Sequence, residues 1–146
     1  MKVEMALAKK KLAYTWIFVT ASVFVLLIFL SATGKFKDST QELWGWFLQN
    51  TTPILTLIIG VIVVEAKSKV KSKKIERFYY RLCLTLTITF FTLLVLTLFI
   101  IPLAQKHGGF TPIGFINFSN IYLGPFQGFV TAALGIFFVK SENDES

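Results

Sequence analysis

Four stretches of this chain carry no Asp, Glu, Lys, Arg or His at all: Leu12–Ala32, Trp46–Val64, Leu82–Leu103 and Ile121–Val139. A hydrocarbon core about 30 Å thick needs about 20 apolar residues at 1.5 Å each, and every stretch meets that requirement. In lipid only helices and closed barrels satisfy their own backbone. Barrel strands alternate in polarity, whereas these runs are continuously apolar. The expected fold is therefore all-α: an integral membrane four-helix bundle filling one domain over residues 1–146. Only 16% of residues are charged, against about 25% in soluble domains. A signal peptide is the alternative for the first stretch, but its apolar run exceeds the 7–15 residues of such a segment. It is read as a retained span.

The charges between the spans are distributed unevenly. Lys2, Lys9, Lys10, Lys11, Lys67, Lys69, Lys71, Lys73, Lys74, Arg77, Arg81 and Lys140 fall on one side, and Lys35, Lys37 and Lys106 on the other. Basic residues near span ends stay in the cytoplasm, so both termini are expected there. The segment 65–81 becomes a cytoplasmic hairpin, and 33–45 and 104–120 become outer loops.

The uncharged spans disfavour pumps, proton-coupled transporters and voltage sensors, which need ionisable groups inside the membrane. Enzymatic function is not expected either. The single His, His107, lies beside two glycines in an outer loop, and the single Cys, Cys83, reads as a buried apolar residue. No metal site and no cofactor are expected.

Uncharged polar residues gather in two spans. Gln49, Asn50, Thr52 and Thr56 in the second, and Gln127 and Thr131 in the fourth, are candidates to line a pore. Such groups either bond between helices or face water. Pro53 is expected to bend or break its helix. Gly124, Gly128 and Ala132 recur every four residues, a smooth stripe that admits a second backbone within the subunit or from another copy.

The hairpin contains neither Gly nor Pro, so both flanking helices are expected to continue and turn tightly around Ser68–Ser72. Lys73, Arg77 and Arg81 would align at the start of the third helix. Together with Lys67, Lys69, Lys71, Lys74 and the ring of Tyr80 they form a candidate surface for an anionic partner. That partner is either lipid headgroups or a nucleotide or oligonucleotide, whose phosphates would track the basic residues while its bases stack on the rings.

The residues Trp44-Gly45-Trp46-Phe47-Leu48 before Thr52-Pro53-Ile54-Leu55, the basic turn, and Leu123-Gly124-Pro125-Phe126-Gln127-Gly128 resemble small four-span bacterial membrane effectors of anti-phage defence. The membrane subunit of the Hailong type is the member named by this layout. The resemblance implies a homo-oligomeric channel in the bacterial inner membrane, controlled by an oligonucleotide and working beside a cytoplasmic sensor protein. A tetramer is the expected assembly. Two other functions fit the same sequence: a non-conducting anchor that recruits a cytoplasmic partner, and a phage holin-like lesion former.

Overall fold

Each apolar stretch is helical, and each helix overruns its stretch at one or both ends. The computed structural model describes residues 2–34, 36–67 and 74–139 of the chain. Four helices follow in order: α1 (Met5–Ala32), α2 (Thr40–Lys67), α3 (Arg77–His107) and α4 (Pro112–Val139). All four are long and apolar enough to cross a membrane. The 28 residues of α1 extend about 42 Å, more than the hydrocarbon thickness, so helix ends emerge into the headgroup region.

The connections are short because the helices claim residues expected in loops. The 104–120 segment is helical except at residues 108–111. Pro102 does not end α3, and Pro53 does not break α2. Two glycines with positive φ, Gly34 (66°) and Gly109 (64°), reverse the chain after α1 and α3. Gly34 donates its N–H to the Ser31 carbonyl at 3.1 Å, closing the helix end as left-handed residues commonly do. Thr111 then starts α4: its Oγ1 accepts the Gly114 N–H at 3.0 Å, and Pro112 fills the first helical position, where its missing N–H costs nothing.

At the opposite end α2 continues to Lys67 as expected and the expected turn at Ser68–Ser72 lies outside the described residues, but the approach to α3 is not helical. Residues 74–76 form a short strand, β2 (Lys74–Glu76), paired antiparallel with β1 (Lys2–Glu4). The register places Lys2 opposite Glu76, Val3 opposite Ile75 and Glu4 opposite Lys74. This ribbon is the one addition to an otherwise all-helical architecture among the described residues. It also ties the start of α1 to the start of α3, so both helices run from the same end of the bundle.

The most extensive helix pairing is α3 with α4, followed by α2 with α4, while α1 packs more lightly on α2 and α3. Trp16 of α1 is fully buried. Its ring lies 4.6 Å from Phe91 and 5.7 Å from Phe90 between centroids. Its Nε1–H donates to Thr87 Oγ1 at 3.0 Å, and Thr87 in turn donates to the Cys83 carbonyl at 2.8 Å. Where lipid supplies no hydrophobic drive between helices, such packing and bonding hold them together. Around this core Phe18, Val25, Phe29, Phe99, Ile121 and Phe129 stand exposed, as a hydrocarbon solvent permits and water does not.

Trp16→Ala is expected to destabilise the bundle by about 3 kcal/mol, the low end for buried aromatic truncation because transfer from lipid contributes little. Thr87→Val, which removes only the bonding, should cost about 0.6 kcal/mol. Unfolding in mixed micelles titrated with dodecyl sulfate measures both.

Candidate functional site

A proline at position 53 has no N–H to give to the carbonyl of Gln49, four residues earlier. The helix continues regardless, because Gln127 of α4 donates its Nε2 to that carbonyl at 3.2 Å. This is the substitution lipid demands: a freed backbone acceptor is met by a neighbouring helix. Thr131 Oγ1 donates to the Gln127 carbonyl at 2.8 Å, one turn further along α4. The contact brings the polar edge of α2 against that of α4.

The two edges merge into one exposed face. On α2, Gly45, Gln49, Thr52, Thr56 and Gly60 are all exposed, and their spacing of four, three, four and four keeps them in one stripe. On α4, Gly124, Gly128 and Ala132 are exposed, and a Cβ built on Gly124, Gly128 or Gly135 meets nothing within 4 Å. The stripe on α4 therefore does not pack inside the subunit, which removes one of its two sequence readings. Asn50 departs from the other candidate pore residues: it is only 2% exposed and donates Nδ2 to the Trp46 carbonyl at 2.8 Å. It lies inside the bundle rather than on this face. Gln127 and Thr131 are half-buried at its border.

The anionic-partner surface is only partly assembled. Lys69, Lys71 and Lys73 lie outside the described residues. Lys67 ends α2, and Lys74 sits in β2 opposite Glu4 rather than on a helix. The expected run Lys73–Arg77–Arg81 along α3 is thus reduced to Arg77 and Arg81, both exposed and four residues apart. Tyr80 does not present a stacking ring, because it packs against the core. Phe78 (66% exposed) and Tyr79 (39%) point outward instead, edge to face at 5.7 Å.

Lys9 has a role that sequence reasoning did not find. Counted among the basic residues at the cytoplasmic start, it is 2% exposed within α1. Its Nζ donates to the Phe138 carbonyl at 2.7 Å and lies 5.7 Å from the Phe138 ring centroid. The last four carbonyls of a helix have no partner within it, and a cation there also meets the negative end of the helix dipole. Lys9 therefore closes the end of α4 from another helix. The contact places that end beside the start of α1 and the ribbon, all at one end of the bundle. The signal available in sequence was weak: Lys9 follows Ala8 and lies one turn before Leu12 and Ala13, on the buried face of α1.

Among the described residues no three His, Cys, Asp or Glu side chains converge as a metal site. Comparison with protein-family models, curated proteins and solved structures finds no match to this chain. The fold and its helices define the class: a multi-pass membrane protein of four helices.

Lys9→Met keeps the apolar stem and removes the donor. It should destabilise the protein by about 1–3 kcal/mol, the cost of stranding a buried acceptor together with a lost charged donor. Hydrogen exchange in the last turn of α4 should accelerate while that of α3 stays slow.

Proposed function

We propose that the protein is a homo-oligomeric channel or membrane-permeabilising effector of the bacterial cytoplasmic membrane, with both termini in the cytoplasm, acting in anti-phage defence. The carrying observation is the exposed face where Gln49, Thr52 and Thr56 of α2 border Gly124, Gly128 and Ala132 of α4. Small residues let backbones of neighbouring copies approach where lipid supplies no other drive. Hydroxyls and amides exposed at the same face have reason to meet water rather than hydrocarbon, which suits an uncharged constriction gated by dewetting. Four helices of this size rarely enclose a pore alone, so several copies would surround it, and a tetramer is the assembly proposed.

In this reading the ribbon end faces the cytoplasm, as the bias of basic residues requires. Lys67, Lys69, Lys71, Lys73, Lys74, Arg77 and Arg81 from each copy form a positive ring that takes a nucleotide or oligonucleotide. A ligand shifts an open–closed equilibrium only through its differential affinity for the two states. The basic segment joins α2 directly to α3, so a ligand held across copies acts on the helix that carries the polar face.

Gly128→Leu tests the assembly, because the position is open within the subunit and the folded monomer tolerates the new side chain. Light scattering in detergent should show a shift toward monomer, and an unchanged mass would defeat the assembly. Gating is tested in liposomes loaded with a fluorescent dye. The wild type should release dye on addition of an oligoadenylate probe, with affinity falling as salt rises through counterion release. The variant with Lys69, Lys71, Lys73 and Lys74 all changed to Gln should insert but stay closed. Probe binding without release would reduce the protein to an anchor.

A further inference from the structure

On the side of α1 away from α2, the light packing of α1 on α3 leaves an open groove of about 440 Å³ between them. Val19 of α1 and Ile88, Phe91, Val95, Leu96 and Phe99 of α3 line it. Three threonines also border it, Thr15, Thr87 and Thr92, and each hydroxyl donates to a carbonyl of its own helix at 2.8–2.9 Å. Their donors are spent within their own helices, so the groove suits an apolar occupant. In a bilayer it must be filled, since a void forfeits the dispersion contacts of its whole lining.

We propose that this groove is a binding site for an anionic phospholipid, with an acyl chain along α3 and the phosphate at Lys11 and Arg81. Helical spacing carries the basic end of the site. Lys11 lies one turn before Thr15, whose hydroxyl bonds the Lys11 carbonyl. Arg81 lies two turns before Ile88 on the same side of α3. Both side chains are exposed. Trp16 stands level with Thr87 and Phe91, and so Lys11 and Arg81 sit about 8 Å nearer the ribbon end than the groove floor. A lipid lying in the groove with its head at that end meets two cations at headgroup depth.

The lining argues against the helix of a second copy as occupant. Helix backbones in membranes approach most closely through small residues; this groove has no glycine or alanine, and apart from Thr15, Thr87 and Thr92, whose hydroxyls are bonded to their own helices, it is walled by Phe, Ile, Leu and Val. The small-residue face lies elsewhere, on α2 and α4. The two faces divide the work: one toward other copies, one toward lipid. The site does not depend on conduction, and it shares only Arg81 with the proposed nucleotide ring.

Native mass spectrometry of the full chain in detergent, equilibrated with phosphatidylglycerol or phosphatidylcholine of identical acyl chains, tests the assignment. The wild type should retain phosphatidylglycerol preferentially, by roughly fivefold for each basic residue engaged. The Lys11→Gln/Arg81→Gln variant should retain both lipids equally. Val95→Trp, or Leu96→Trp at a more exposed part of the wall, should fill the groove and lower retention of both lipids while helical content stays unchanged. Equal retention of the two lipids by the wild type, or undiminished retention by both tryptophan variants, overturns the proposal. So does a fall in oligomer mass caused by the tryptophans, which would assign the groove to a second copy.

Discussion

Hydrocarbon offers no hydrogen bonds, so every backbone carbonyl in the bundle must find its partner within the protein. Two of them set the architecture. Pro53 frees the Gln49 carbonyl, and Gln127 reaches across from α4 to meet it. The end of α4 frees the Phe138 carbonyl, and Lys9 reaches across from α1. In both cases a side chain on one helix completes the ladder of another. These bonds fix α4 against α2 and against α1 at points well separated along its length. The buried Trp16–Thr87–Cys83 relay does the same between α1 and α3. Each is modest in isolation, but removing a donor strands an acceptor where water cannot replace it.

With those partners in place, the outer surface separates into regions of different chemistry. The α2–α4 face carries small and polar residues; the α1–α3 side is an open apolar groove. Backbone approach favours the first and chain filling the second, for the same reason: close packing is the main attraction available in lipid. The proposed assembly, polar constriction and lipid site follow from that division.

The four spans, their helical state and the loose placement of the turns were legible from sequence, because charge-free runs of that length have one backbone solution in lipid. Helix extents were less so. Pro53 was expected to bend or break its helix, yet α2 runs through it, and a neighbouring helix replaces the lost bond. The basic hairpin read as helical because it lacks Gly and Pro, but Lys74–Glu76 pairs with Lys2–Glu4 as a ribbon. That pairing joins residues at least seventy positions apart, and no local pattern announces it.

Sequence by itself determined that this chain forms four helices long and apolar enough to cross a membrane and which residues are too polar for lipid. Only the tertiary structure decided which face each of them joins. Asn50 turned inward and Gln49 outward, though they are neighbours. Tyr80 packed on the core while Phe78 and Tyr79 did not. Lys9 left its basic neighbours to close α4. A helix of uniformly apolar sequence carries almost no periodic signal for its own rotation. That rotation is set by the few donors and acceptors that must meet across helices.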